Sequence, residues 1–125
     1  LAKDKSKVSI YHNLSAREIV SLSRNCDICI CSPSGVAYEM ACIGIGLVLC
    51  MIADNQIHFY NFFIKNQLAV GLSFLDKSGT KIEELMKLVT LVRTDNALIN
   101  NQIQNQKKLF KDNPKQNIIN QFNTL

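Results

Sequence analysis

Short apolar segments alternate with stretches of helical character along most of the chain. Residues 27–31 and 47–52 are short apolar runs next to turn-forming residues, a pattern typical of buried strands. Residues 8–10 read Val-Ser-Ile and predict a shorter strand by their alternation, and residues 69–74 are expected to hold another. The pattern therefore predicts a sheet of three or four strands.

The segments between these strands carry helix signals. Ser15-Ala16-Arg17-Glu18 has the form of a capping box, which predicts the start of a helix. Gly44 is placed to end the next helix in the left-handed conformation that glycine tolerates. Helices are predicted over residues 36–42, 54–66 and 81–93, then from the cap residue Asp95 onward, with a last helix after the break at Asn113-Pro114.

Strands that alternate with such helices imply a parallel sheet with right-handed crossovers. We expect a three-layer, Rossmann-like α/β domain over residues 1–93, and C-terminal helices over residues 94–125 that pack on it. Doubly wound sheets usually contain about five or six strands, and the chain begins without Met. We therefore expect a fragment, in which the sheet starts part-way or is completed by a partner segment.

The C-terminal region is rich in amides, with thirteen Asn or Gln residues among the thirty residues 94–123. An apolar stripe near helical spacing nevertheless runs through it, formed by Leu98, Ile99, Ile103, Leu109 and Phe110. The stripe favours an amphipathic helix over a low-complexity, disordered segment.

Composition narrows the class of protein. No apolar stretch approaches the roughly 18 residues of a membrane span, and the N-terminus lacks the apolar core of a signal peptide. The five cysteines are an odd number, and the spacing C-x-x-C-x-C over residues 26–31 has no second ligand pair. This favours buried, reduced cysteines in a cytoplasmic protein over a metal or redox centre.

Charge is concentrated near the two ends of the chain. The net charge is +4, yet residues 25–64 contain no Lys or Arg and hold three acidic residues, Asp27, Glu39 and Asp54. A nucleic-acid-binding protein normally places a basic stripe on its working surface. We interpret the basic ends as solvated helix faces and expect no nucleic-acid partner.

In an open parallel sheet, ligands bind beyond the carboxyl ends of the strands. Three predicted turns fall at that edge: Tyr11-His12-Asn13, residues 32–36 and residues 53–56. The middle turn, Ser-Pro-Ser-Gly followed by a helix, presents free backbone N–H groups and the positive end of the helix dipole to an anion. Ser34 could add a hydroxyl, and Gly35 would allow a phosphate to approach closely. The same turn could equally cap the helix with no ligand.

Side chains near this turn suit a nucleotide sugar. Glu39 lies four residues beyond Gly35, and its carboxylate could accept hydrogen bonds from both ribose hydroxyls; the alternative is a favourable interaction with the helix N-terminus. Asn55 and Gln56 could bind sugar hydroxyls, or this turn could simply cap a helix. Tyr11 and His12 could stack on a base, or be half-buried turn residues.

Several common catalytic and cofactor motifs are absent from the sequence. It contains no G-x-x-x-x-G-K-[ST] and no G-x-G-x-x-G, which argues against P-loop and dinucleotide binding. Neither histidine lies near a Ser or Cys in a nucleophile elbow, and His58 is interpreted as a packed or surface residue. We therefore assign no catalytic residue, no metal and no cofactor.

Taken in order, three segments resemble the C-terminal domain of two-domain, GT-B-fold nucleotide-sugar enzymes. They are VSIYHNLSAREIVSLSRNCDICICSPSG, VAYEMACIGIGLVLCMIADNQ and HFYNFFIKNQLAVGL, and they cover about residues 8 to 78. The resemblance is to the group of the peptidoglycan N-acetylglucosaminyl transferase (family 28 glycosyltransferase-like) and the UDP-sugar hydrolase of pseudaminic acid biosynthesis.

The resemblance implies a role for each candidate residue. The backbone near Tyr11 and His12 would meet uracil, and Glu39 would bind the ribose. The sugar would contact Asn55 and Gln56. The pyrophosphate would be held at the helix N-terminus by Ser34, Gly35 and Val36.

The chain also departs from this family. The early Gly-rich turn of the family has no counterpart, Pro33 interrupts the usual Gly/Ser run, and the N-terminal domain that carries the catalytic base is missing. The resemblance thus implies a UDP-sugar-binding portion of a bacterial glycosyltransferase or UDP-sugar hydrolase of surface polysaccharide biosynthesis, inactive alone. The alternative is a non-catalytic α/β interaction module that uses the C-terminal helices.

Overall fold

A computed structural model describes residues 7–75 and 81–110 of the chain. The elements in chain order are α1 (Ala16–Ser23), β1 (Ile28–Cys31), α2 (Gly35–Ile43), β2 (Gly46–Met51), a 3₁₀ turn (Asp54–Gln56), α3 (Ile57–Lys65), β3 (Val70–Ser73), α4 (Lys81–Thr94) and α5 (Asn96–Leu109). The helix predicted after Asn113-Pro114 lies outside the described residues. So do residues 1–6 and 76–80 of the first predicted domain and residues 111–125 of the second.

The three strands form one parallel sheet in the order β1-β2-β3. β2 is central, and side chains along a strand point alternately to opposite faces. Leu47 and Leu49 therefore share one face, where they belong to the core together with Phe62 and Phe63 of α3. All four side chains are fully buried.

The opposite face of the sheet is covered by α4. Gly46 belongs to this face, and a Cβ at Gly46 would lie 3.2 Å from Val92 Cγ1 of α4. Since α2 and α3 cover the other face, the protein is an α/β sandwich with helices on both sides of a parallel sheet. The predicted Rossmann-like α/β class is confirmed. Within the described part of the chain, no helix is long and apolar enough to cross a membrane.

Aromatic side chains fill the layer between the sheet and α3. The ring of Tyr38 on α2 lies edge-on to Phe59 and Phe63, with ring centroids 5.3 Å and 5.0 Å apart. Burying each large apolar side chain of this kind stabilises the fold by about 1.5–3 kcal/mol. This cluster fixes α2 against α3, and so fixes where the helices begin at the edge of the sheet.

The predicted helix caps are confirmed atom by atom. The Glu18 N–H donates to Ser15 Oγ (3.2 Å), and the Ser15 N–H donates to Glu18 Oε1 (3.1 Å), which completes the capping box of α1. Gly44 ends α2 with φ 83°, in the left-handed region. Asp95 caps α5 by accepting the Leu98 N–H at 3.0 Å.

Two buried glutamines of α5 bind the sheet where β2 and β3 separate at their N-terminal ends. Gln106 accepts the Ile45 N–H (3.2 Å) and donates to the carbonyls of Ile45 (2.9 Å) and Leu68 (3.0 Å). Gln102 accepts the Leu47 N–H at 3.0 Å. The glutamines therefore supply hydrogen bonds that a neighbouring strand would otherwise make. Sequence periodicity identified the apolar stripe of α5 but missed these two contacts.

The predicted strand at residues 8–10 is wrong. These residues have no regular secondary structure, and the side chains of Val8 and Ile10 are 55% and 78% exposed. Alternation predicts a strand only if a neighbouring strand pairs with its backbone and a core covers one face. Within the described residues this segment has neither.

Candidate functional site

The candidate site lies at the carboxyl edge of the sheet. Because β1 and β2 are parallel neighbours, with Cys31 paired to Leu49, the turns that follow these two strands lie side by side. The first of these turns leads into α2, and the second leads through the 3₁₀ turn into α3. The structure thus brings two of the three predicted turns to one edge.

The turn after β1 leaves the N-terminus of α2 uncapped by its own side chain. Ser34 is the N-cap residue, with φ −149° and ψ −169°, and its hydroxyl makes no capping hydrogen bond. Instead, Ser34 Oγ donates to the Ser32 carbonyl (3.4 Å) and accepts from Ser32 Oγ (3.3 Å). The first bond of the helix runs from the Ala37 N–H to the Ser34 carbonyl at 3.0 Å. The backbone N–H groups of the first turn therefore have no side-chain cap.

Open space surrounds this N-terminus. A Cβ built on Gly35 would meet no heavy atom within 4 Å. The next side chain, Val36, is 45% exposed. Pro33, in contrast, is buried and anchors the turn. An anion can therefore reach the helix N-terminus, where the dipole and free N–H groups favour negative charge.

Glu39 lies one turn further along α2 and is exposed. Residues four apart share a helix face, so Glu39 lies on the same face as Gly35. The pKa of the Cys42 thiol is raised first by burial and second by the nearby Glu39 carboxylate. The carboxylate makes no hydrogen bond or ion pair within the described residues, so it is available to a ligand.

The turn after β2 uses one of its predicted sugar-binding groups for its own structure. Gln56 Oε1 accepts the backbone N–H groups of Ile52 (2.9 Å) and Ala53 (3.3 Å). These two bonds leave the Nε2 group of Gln56 for a ligand. Asn55 and Asp54 are both exposed, and neither caps α3, whose N-cap residue is Gln56.

Tyr11 and His12 stand apart from the other candidate residues. Both are exposed and lie in a segment without regular structure, beside Asn13 with its positive φ of 53°. In the part of the chain that the structure describes, no hydrogen bond joins either residue to the turns after β1 and β2. Hydrogen bonds of the described residues therefore do not tie the third predicted turn to the other two.

Two cysteines of β1 form an interacting pair just below the first turn. Cys29 and Cys31 share the face of β1 that packs on the core. The hydrogen bond between the two thiols lowers the pKa of Cys29 and raises that of Cys31, and burial also raises the latter. No group of three or more metal-ligating side chains occurs among residues 7–75 and 81–110. All five cysteines are free, but the prediction that they are buried is wrong: two are exposed and three are half-buried.

Among the cavities that lie away from this edge are two that no sequence pattern predicted. One of about 530 Å³ lies near the amino ends of β1 and β2, between Asp27 and Arg93. The other, of about 440 Å³, lies beside β3. Each is formed by residues distant in sequence, which only the packing of α5 brings together.

No family model, curated protein or solved structure matches this chain.

Proposed function

We propose that this chain is the UDP-sugar-binding portion of a bacterial glycosyltransferase or UDP-sugar hydrolase of surface polysaccharide biosynthesis. The observation that carries the proposal is the open N-terminus of α2 at the carboxyl edge of a parallel sheet. There, Ser34 leaves the first N–H groups uncapped and Gly35 leaves space for a ligand.

The pyrophosphate is the part of the ligand that this helix end would bind. The backbone N–H groups of Gly35 and Val36 would donate to phosphate oxygens, and the helix dipole would stabilise their charge. Ser34 would contribute its hydroxyl after exchanging its weak bond to the Ser32 carbonyl, which is 3.4 Å long. These backbone and hydroxyl groups would favour a diphosphate at this helix end.

The ribose and the sugar would contact the two flanking elements. The exposed Glu39 carboxylate would accept hydrogen bonds from vicinal hydroxyls, which are donors that a phosphate lacks. Asn55 and the Nε2 group of Gln56 would bind the sugar from the neighbouring turn. The uracil would be contacted by the backbone near Tyr11 and His12, whose side chains are exposed.

The chemistry would be displacement at the anomeric carbon by an acceptor, or attack of water on the nucleotide–sugar linkage. Either reaction needs a base to activate the attacking group, and the resemblance assigns that base to a separate N-terminal domain. We therefore propose binding without catalysis for this chain alone. Free cysteines support a cytoplasmic location for the protein.

The interaction-module alternative predicts exposed apolar side chains along α5. The large apolar residues of this helix are instead half-buried or buried, from Leu98 and Ile99 to Leu109, and only the small side chain of Ala97 is exposed. The outward face of α5 is polar, so this observation favours the nucleotide-sugar hypothesis.

A UDP titration followed by two-dimensional amide NMR tests the proposal. We expect the largest shifts at the amides of Ser34, Gly35 and Val36. The Glu39→Ala substitution should weaken binding by about 5- to 150-fold, which corresponds to the roughly 1–3 kcal/mol of lost charge-assisted hydrogen bonds. Glu83→Ala, which removes an exposed carboxylate from α4, is the matched control and should leave binding unchanged. Absence of shifts at α2, or equal affinity of the two variants, would contradict the proposal.

A further inference from the structure

The cavity beside β3 is a groove along the outer edge of the sheet. Its volume is about 440 Å³, and it lies between α3 and α5. The apolar and aromatic part of its lining comes from Tyr60, Ile64, Ala69, Val70 and Leu98, and the polar part from the neutral amides Gln67, Asn101 and Gln102.

The backbone of β3 is unpaired on this side. Among the described strands β3 is the last in the order β1-β2-β3, and the Phe74 N–H donates to the Met51 carbonyl at 2.8 Å. In a parallel ladder, alternate residues turn their N–H and C=O groups to the same neighbour. Leu72 and Phe74 therefore face β2, whereas the N–H and C=O groups of Gly71 and Ser73 face away from it. Gly71 lines the groove, which gives an added strand backbone groups to pair with.

A buried amide of the groove also lacks a partner. Gln102 is 1% exposed, and its Oε1 accepts the Leu47 N–H. Its Nε2 group has no hydrogen-bond partner among the described residues. A buried donor left unpaired destabilises the fold. A backbone carbonyl of an incoming chain could satisfy it.

The shape of the groove is held by contacts on both sides. Asn101 Nδ2 donates to Gln67 Oε1, and Asn105 Nδ2 donates to the Gln67 carbonyl, each at 3.1 Å, so α5 fixes the turn that precedes β3. On the other side, the ring of Tyr60 packs so closely on Gly71 that a Cβ there would lie 2.5 Å from Tyr60 Cε2. The groove is therefore preformed and needs little ordering when a ligand binds.

Among residues 7–75 and 81–110, no charged side chain lines this groove. An occupant with a charge in its buried part would lose hydration without gaining an ion pair. The occupant is thus expected to be an uncharged segment with apolar side chains that supplies backbone donors and acceptors. Since the edge is recessed between two helices, a protruding segment fits it better than the equally recessed β3 of another copy.

The chain itself carries such a segment at residues 8–10. Its sequence Val-Ser-Ile is uncharged, it has no strand partner in the described structure, and Val8 and Ile10 are 55% and 78% exposed. It leads into α1, which packs mainly against α2, whereas the groove lies between α3 and α5 beside the edge strand β3. We therefore expect the segment to meet the groove of a second copy rather than its own.

We propose that residues 8–10 of one copy bind in the β3 groove of a second copy, where they add a strand to its sheet. Gly71 of the receiving copy pairs with the backbone of the added strand, and the two apolar side chains, which share one face of that strand, pack on apolar side chains that line the groove. The contact joins two different surfaces of the protein. Each copy can therefore place its residues 8–10 in the groove of one neighbour and accept residues 8–10 of another neighbour in its own groove.

Sedimentation velocity of the full 125-residue chain over a range of concentrations tests the proposal. The mass should rise with concentration beyond the monomer. Asn101→Lys places a charge at the groove and should weaken association at least about tenfold, whereas Asn100→Lys, on the exposed side of the same helix, should not. Ile10→Lys should act like Asn101→Lys, and Ser21→Lys on α1 is its control. Leu98→Lys serves as a second groove variant, and circular dichroism checks that each variant is folded.

A mixture of the two defective variants gives the sharpest result. The Ile10→Lys chain keeps an intact groove, and the Asn101→Lys chain keeps an intact segment, so their mixture can form one productive contact. We expect a 1:1 heterodimer that does not grow further with concentration. A monomer at every concentration, association that survives in the groove variants, or a mixture that stays monomeric would each overturn the proposal.

Discussion

Gln106 is expected to be among the most important polar side chains for stability, although it lies on a helix that looks mainly hydrophilic. It is fully buried and makes three hydrogen bonds to the backbone of Ile45 and Leu68. The substitution Gln106→Leu keeps a similar volume but removes all three bonds. It leaves one buried N–H and two buried carbonyls without partners.

The expected loss of folding free energy follows from the one backbone N–H and two backbone carbonyls that lose their partners. Each buried backbone group left unpaired costs about 1–3 kcal/mol, and part of this is recovered by burying an apolar side chain. We expect a loss of about 3 kcal/mol, a large share of the roughly 5–15 kcal/mol that holds a typical domain folded. Gln102→Leu should cost less, about 1 kcal/mol, because it orphans the Leu47 N–H but also removes an amide nitrogen that has no partner.

Urea unfolding followed by far-UV circular dichroism measures these losses. The control is Gln104→Leu, since Gln104 is exposed on the same helix, and it should shift the free energy of unfolding by less than about 0.5 kcal/mol. The expected order of destabilisation is Gln106→Leu, then Gln102→Leu, then Gln104→Leu. If Gln106→Leu were no more destabilising than Gln104→Leu, the bridging role of the buried glutamines would be refuted.

Three further predictions concern single positions, each measurable by chemical or thermal unfolding. Gly71→Ala should destabilise by about 1–3 kcal/mol, because the added Cβ lies 2.5 Å from Tyr60, and replacing Tyr60 with Leu in the same chain should relieve part of the loss. Gly44→Ala should cost about 1–2 kcal/mol, because alanine resists a φ of 83°; a cost near zero would argue against that conformation. The pKa of Glu18 is lowered by hydrogen bonds from the Ser15 backbone and hydroxyl, so its contribution is present at neutral pH and is lost as pH falls below about 4. Glu18→Gln should flatten this acid dependence, and an unchanged profile would contradict the assignment.

Local sequence signals predicted the elements of the fold well. The capping box at Ser15, the left-handed Gly44 and the cap at Asp95 each depend on residues a few positions apart, so the sequence contains the complete interaction. The apolar runs predicted β1 and β2 for the same reason. The predicted burial holds for β2, which is covered on both faces, but not for the edge strand β1, where Ile30 is 50% exposed.

Interactions between distant residues could not be predicted in the same way. Gln102 and Gln106 look like surface residues in an amide-rich helix, and their burial depends on β2 and β3 separating some forty to sixty positions earlier in the chain. The segment at residues 8–10 alternates like a strand, but pairing requires a neighbouring edge that sequence periodicity does not describe.

For the candidate site, the sequence predicted where the turns lie but not their hydrogen bonds. The turn at Ser34 and Gly35 and the turn at Asn55 and Gln56 lie at adjacent strand ends, as the order of elements implies. The bond geometry was not predictable: the Ser34 hydroxyl turns back to Ser32 instead of capping α2, and the carbonyl oxygen of the Gln56 side chain binds its own turn. These hydrogen bonds decide which polar groups of the two turns remain available to a ligand.

The central claim is that the N-terminus of α2, together with Glu39, binds a uridine diphosphate group. The most direct measurement is a UDP titration of the ¹⁵N-labelled chain, with Glu39→Ala and Glu83→Ala titrated in parallel. We predict saturable shifts at Gly35 and Val36 that weaken in Glu39→Ala and persist in Glu83→Ala. No shift at these amides, or the same binding curve for Glu39→Ala as for the unsubstituted chain, would contradict the claim.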